Sequence, residues 1–202
     1  MRIRHSFVLL LVLPILIGLM QAPKMKKIFN GKNLKGWVEP EGNIWWSVSN
    51  GILTAKSGPD KKGSILWTKK SYDDVAIQLE FRMGEGTIDS GIFFYSDKKP
   101  HPQIQIGISG SLKRDMTCSP YVPGKGYPVE AEGIKDLLKL DDWNTLKAQV
   151  VGTEYTAWLN GKKVMTYIGE TEKNLGVGPI GLQLHPSRDM HIDFRNILVE
   201  KL

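Results

Sequence analysis

Ile77-Gln78-Leu79-Glu80-Phe81-Arg82, followed by Gly84–Gly86, Asp89-Ser90-Gly91-Ile92-Phe93-Phe94-Tyr95 and Gln103-Ile104-Gln105-Ile106, decides the fold class. Successive side chains of a strand point to opposite faces, so each alternating run sends its apolar members into a core and its polar members outward. Ile77, Leu79 and Phe81 form one such inward set, with Gln78, Glu80 and Arg82 facing the other way. A solvated strand face usually carries Thr, Lys and Ser. An acid, a guanidinium and paired glutamines on neighbouring strands suggest a polar groove, although many antiparallel sheets carry a polar face with no function.

Short alternating runs continue on both sides of this stretch. Trp45-Trp46-Ser47-Val48 and Gly51-Ile52-Leu53-Thr54-Ala55 flank Asn50-Gly51, and Glu154–Leu159 and Lys163–Tyr167 flank Asn160-Gly161, two hairpin signatures. Gly63–Thr68, Trp143–Val150, Gly178–His185 and His191–Val199 read as further strands. Helical periodicity is nearly absent, which predicts an all-β, two-sheet antiparallel sandwich. Residues from about Gly107 to Leu140 break the pattern with Gly, Pro and polar residues; so long an excursion predicts a lid or binding loop, with a short helix at Ile134–Leu138. Arg114, Asp115, Tyr121 and Tyr127 are its candidate ligand contacts.

The N-terminus differs in kind. Arg2 and Arg4 precede the apolar run Phe7 to Met20, then Gln21-Ala22-Pro23, a secretory signal pattern too short for a comfortable membrane span. Cleavage after Ala22 is expected, giving an exported protein, periplasmic or secreted, with one domain over 23–202 and no stable membrane insertion. Without the two leader arginines, 25 basic residues face 21 acidic ones. The excess lysines are scattered over turns and strand ends, so nucleic acid is not an expected partner. Cys118 is the single cysteine, which excludes an intrachain disulfide.

Phe29-Asn30-Gly31-Lys32-Asn33-Leu34-Lys35-Gly36-Trp37, Trp46-x-Val48-x-x-Gly51-x-Leu53, Glu80-Phe81-Arg82, Ser90-Gly91-Ile92-Phe93, Trp143-Asn144, Leu159-Asn160-Gly161, Gly181-x-Gln183-x-His185 and Phe194-Arg195-Asn196-Ile197, in this order and spacing, resemble the 3-keto-disaccharide hydrolase family. The resemblance implies a concanavalin-type jelly roll with a concave sugar-binding face, acting on oxidised glycosides. Asp89 stands where that family often has Asn, and Gln103 where it often has an acid.

An ordinary glycosidase needs two carboxyls flanking the bond, and no spacing here certifies a pair. A 3-keto sugar needs one base, because the ketone acidifies the hydrogen on C2 and elimination of the C1 substituent, then hydration, cleaves the glycoside. His185 is the candidate base, since histidine titrates near neutrality and Gln183 shares its face; a plain strand-end hydrogen bond is the alternative. Arg82 is placed to polarise the ketone or to pair with Glu80, the third candidate catalytic residue. Asp89, Tyr95, Gln103, Gln105, Arg114, Asp115, Tyr121 and Gln183 are the candidate sugar contacts. The six tryptophans read mostly as core. No cofactor is demanded; His185, Asp89 and Glu80 are the residues that could take a divalent metal. The expected partner is a carbohydrate, an oxidised glycoside, with a non-catalytic binding module and a two-carboxylate glycosidase as the other readings. Glu80, Arg82, Gln103, Gln105, Gln183 and His185 are expected to converge on one concave face under the Gly107–Leu140 excursion.

Overall fold

The computed structural model describes residues 25–94, 102–169 and 177–202; the expected leader, 1–22, and Tyr95 lie outside them. The described strands are β1 (Lys26–Lys27), β2 (Trp37–Val38), β3 (Trp46–Ser49), β4 (Ile52–Lys56), β5 (Ser64–Tyr72), β6 (Val75–Gly86), β7 (Asp89–Phe94), β8 (Gln103–Gly107), β9 (Pro120–Tyr121), β10 (Asn144–Val151), β11 (Glu154–Leu159), β12 (Lys162–Ile168), β13 (Gly178–Leu184) and β14 (Met190–Lys201), with one short helix, α1 (Ile134–Leu137). They form two antiparallel sheets. One runs β12-β11-β10-β6-β14-β4-β3 with β1 also paired to β14; the other runs β2-β5-β13-β7-β8-β9. This is a two-sheet sandwich, as the alternation implies, and a jelly roll, as the resemblance implies.

Alternation explains the core. Ile77, Leu79 and Phe81 of β6, Leu146 and Ala148 of β10, and Ile192 and Phe194 of β14 are fully buried from one sheet. Leu66 of β5, Ile92 and Phe94 of β7, Ile104 and Ile106 of β8, and Leu182 of β13 meet them from the other. Both predicted hairpins form; at the β11–β12 turn Asn160 and Gly161 take φ of 49° and 85°, the doubly positive pair that matches strand twist. Cys118 is fully buried, and that burial pushes its thiol pKa up, so it stays a protonated packing group.

Only Trp37 and Trp46 of the six tryptophans are buried. Trp45, Trp67, Trp143 and Trp158 are half-buried, which corrects the mostly-core expectation. Trp67 and Trp158 occupy outward positions of β5 and β11, between the buried residues Leu66 and Thr68, and Ala157 and Leu159.

The expected single polar face also needs correcting. Each strand has an outward side, but consecutive strands here belong to different sheets: β6 lies in the eight-stranded sheet, and the chain crosses at Thr87-Ile88 to place β7 in the six-stranded one. Glu80 and Arg82 therefore project from one outer surface, while Gln103, Gln105 and Gln183 project from the other.

Candidate functional site

On the outer surface of the six-stranded sheet lies a cleft of about 620 Å³. Its floor comes from alternate residues of three neighbouring strands: Asp89 and Phe93 of β7, Gln103 and Gln105 of β8, and Gln183 of β13, with His185 just beyond. Two residues of strand advance about 6.8 Å, so these groups form a grid on the scale of a pyranose ring.

Hydrogen bonds give the grid a direction. Gln105 Nε2 donates to Asp89 Oδ1 at 2.9 Å, and Gln103 Nε2 donates to Gln105 Oε1 at 3.0 Å. The carboxylate accepts only, so it fixes the orientation of Gln105, which in turn fixes Gln103. The relay ends in Gln103 Oε1, buried and without a donor among the described residues, and Gln183 Oε1 is in the same condition. Both residues are more than nine-tenths buried, at 5% and 9% exposure. An unmatched buried acceptor costs about 1–3 kcal/mol, a cost that ligand hydroxyls would offset.

His185 and Arg188 close one end. His185 Nδ1 lies 2.7 Å from the Pro186 carbonyl oxygen, which can only accept, so Nδ1 carries a proton and, in the neutral ring, the lone pair falls on Nε2. The same Nδ1 is 3.9 Å from Asp89 Oδ2, and Arg188 Nε lies 3.4 Å from that oxygen. The turn bearing Arg188 is braced from two sides: Ser57 Oγ donates to Arg188 O at 2.8 Å, and Thr87 N donates to Asp189 O at 2.9 Å.

Tyr121 of β9 and Tyr127, their ring centroids 5.3 Å apart, also line the cleft, together with Ser109, Gly110, Ser111 and Pro123. Burial raises the Tyr127 pKa against a lowering hydrogen bond with Ser109, and Asp89 and Tyr121 add to the rise, so the phenol stays protonated at neutral pH.

Of the residues expected to converge, Gln103, Gln105, Gln183 and His185 do, joined by Asp89 and Tyr121. Glu80 and Arg82 do not. They sit on the outer face of the eight-stranded sheet, and each meets a partner directly across on β14 rather than the other. Arg195 Nε donates to Glu80 Oε2 at 2.6 Å and Asn196 Nδ2 to Oε1 at 2.9 Å. Arg82 donates to Asp193 at 2.8 Å, and Thr54 Oγ1 donates to the same carboxylate at 2.7 Å. Both guanidiniums pack on Trp143, at 4.9 and 4.0 Å from its ring centroid. The metal trio of His185, Asp89 and Glu80 is thereby split between sheets; among the described residues no three His, Cys, Asp or Glu come together as a metal site.

Arg114 and Asp115 are also displaced from the sugar-contact set. Arg114 pairs with Glu130, and Asp115 Oδ1 accepts from Thr117 N at 2.7 Å to hold a turn. Only the first part of the excursion, to Tyr127, borders the cleft. Its later part crosses to the other sheet, where Glu132 N donates to Val164 O and Asn160 Nδ2 to Leu137 O, each at 2.8 Å. The sequence reading missed Arg188, Phe93 and Ser109. For Arg188 a signal existed: a cation on a four-residue turn directly after His185 must stay near it.

The Arg82 cluster yields a prediction about stability. Burial raises the pKa of Asp193, but hydrogen bonds from Arg82, Thr54 and His191 outweigh it and leave the carboxyl below its ordinary 3.8; Glu80 is likewise lowered from 4.5 by Asn196 and Arg195 against burial. A lowered folded-state pKa means that the unfolded chain binds more protons in the window between, so this stabilisation is present above the ordinary values and is lost as pH falls through the folded ones. Arg82→Ala is expected to cost about 1–3 kcal/mol at neutral pH, less than a fully buried pair because the guanidinium is substantially exposed. Thermal melts between pH 7 and about pH 3 check this: the variant's deficit should shrink in acid, while turnover stays close to wild type.

The antiparallel jelly roll with a glutamine-lined cleft on one outer face is a fold shared with known proteins. Residues 24–200 match the 3-keto-α-glucoside-1,2-lyase-like domain, and the chain belongs to that family. A glycosyl-hydrolase candidate from Parabacteroides distasonis is 24% identical, with 89% of this chain and 100% of that one covered and a TM-score of 0.65. The β-glucanase of Bacillus licheniformis is 16% identical over 90% of this chain and 100% of its own, TM-score 0.60. The carbohydrate-binding module CBM66 of Bacillus subtilis is 15% identical over 82% and 96%, TM-score 0.54. At these identities the solved structures establish the shared fold. No curated protein matches the sequence significantly.

Proposed function

We propose that the cleft binds a 3-keto-glycoside and cleaves it by elimination followed by hydration. The observation that carries this reading is the hydrogen bond of His185: its Nδ1–H is committed to Pro186 O, which leaves Nε2 as the basic nitrogen of a histidine lining a cleft that also holds a guanidinium. His185 Nε2 removes the proton from C2, and the C–H electrons delocalise onto the C3 oxygen as an enolate. Arg188, anchored by Asp89, is the cation among the described lining residues available to that developing charge. The enolate then re-forms the ketone as its electron pair makes C1=C2 and expels the C1 oxygen with the C1–O electrons. Water finally adds hydroxyl to C1 and a proton to C2. No oxidant or reductant is consumed.

Gln103 Oε1 and Gln183 Oε1 accept sugar hydroxyls, and Tyr121 supplies a ring face. Among the described residues Asp89 is the one carboxylate lining the cleft, and it is already bonded to Gln105 and Arg188, which disfavours a two-carboxylate glycosidase.

The test is turnover in D₂O. Elimination and hydration place a solvent deuteron on C2 of the released 3-keto sugar as it forms, faster than the free 3-keto sugar exchanges alone. Release with C2–H intact would refute the route, and saturable binding with no release would make the protein a binding module.

A further inference from the structure

Next to the amides, the same sheet face turns apolar. The strand register aligns Val38, Trp67, Gly181, Phe93, Gln103 and Tyr121 in one row across β2, β5, β13, β7, β8 and β9. Strands lie about 4.8 Å apart, so the three steps from Trp67 to Gln103 span roughly 14 Å, the length of two rings. The Gln103–Tyr121 end belongs to the cleft. At the other end Trp67 and Phe93, both partly exposed, flank Gly181 with ring centroids 6.0 Å apart and planes tilted by 48°. A Cβ on Gly181 would lie 2.6 Å from Trp67 Cζ3 and 2.7 Å from Ile65 Cγ2, so the indole approaches the β13 backbone this closely only because that residue is glycine. The inward positions of β5 are already filled by Leu66 and Thr68. Trp67 is thus aromatic surface that the core does not use.

We propose that Trp67 and Phe93 form the subsite for the leaving group and select an aromatic aglycone, a proposal that rests on the 3-keto-glycoside reading of the cleft. Phe93 connects the two regions, since it lines the cleft and pairs with both Gln103 and Gly181. The lining chemistry favours an arene. A second pyranose would bring hydroxyls on both edges, whereas Ile65, Trp67, Gly181 and Phe93 offer among their side chains only the indole N–H. The reaction favours it too. Elimination breaks the C1–O bond with its electrons on oxygen; a phenolate, whose conjugate acid has a pKa of about 10, departs and later takes its proton from water, while a sugar alkoxide needs an acid at the moment of cleavage.

The test compares methyl and phenyl 3-keto-α-glucosides and a 3-keto disaccharide, by calorimetric affinity and by kcat/KM. The phenyl compound should bind on the order of tenfold more tightly than the methyl compound, as one stacked ring contributes, and the disaccharide no better than the methyl compound. In Trp67→Leu and in Phe93→Leu, which keep apolar volume on two different strands, the phenyl-to-methyl ratio should fall towards one. Gly181→Ala, which displaces the indole, should lower it as well. Equal affinities in the wild type, a preference for the disaccharide, or a ratio unchanged in both leucine variants would overturn the subsite. Because affinity is read directly, failure of the elimination reading stays distinct: a phenyl preference that is lost in the variants, with nothing cleaved, supports the subsite and sinks only the chemistry.

Discussion

His185→Ala is expected to lower turnover of a 3-keto-glucoside by about 10²–10⁴-fold, the usual size of a general-base contribution. The loss should fall on kcat far more than on KM, because a proton abstracted from C2 is shared with the base in the transition state, whereas the ground state is held by Gln103, Gln183 and the ring platforms. Folding should survive. The side chain is about one-third exposed, and its close bond is to the adjacent Pro186 carbonyl. A melting temperature near wild type together with collapsed kcat fits the assignment, and full activity in the variant would remove His185 as the base.

Gly86→Ala should have the largest structural effect at the site, although Gly86 itself is outside the cleft. Gly86 ends β6 with φ of 88°, where a side chain is strained, and an added Cβ would lie 2.0 Å from Asp189 O. That carbonyl belongs to the turn carrying Arg188 and accepts from Thr87 N. Backbone strain and overpacking together predict a loss of about 2–5 kcal/mol. The turn can relieve the clash only by moving, and Arg188 moves with it, so turnover should fall in whatever fraction remains folded. Denaturant unfolding alongside kcat per folded molecule checks both parts. Wild-type stability would show that the two turns are not in the contact described.

What the sequence made legible follows from the range of each interaction. Which residues of a strand share a face depends only on the two-residue period, so the pairs Gln103 with Gln105 and Gln183 with His185 were readable. The Asn160-Gly161 turn was readable because its backbone preference is local. Which sheet a strand joins depends on pairing with residues more than a hundred positions away, as with Glu80 opposite Arg195, and no local pattern carries that. Glu80 and Arg82 were therefore placed on the correct side of their strand and in the wrong sheet. Arg114 and Asp115 failed for a related reason: Glu130 and the Thr117 amide satisfy them locally, and those partners emerge only once the excursion is folded. Trp67 was assigned to the core on size and apolarity, although it stands at an outward position between Leu66 and Thr68.

The most direct measurement is aglycone release from a 3-keto-α-glucoside and from its unoxidised parent under identical conditions. A ketone at C3 is what makes the C2 proton removable by a single histidine, and among the described residues the cleft offers no free carboxyl pair for the alternative chemistry. Release from the keto sugar, with none from the parent, is the predicted result. Comparable release from the parent would contradict the account, since cleavage would then proceed without the ketone on which the assignment of His185 and Arg188 depends.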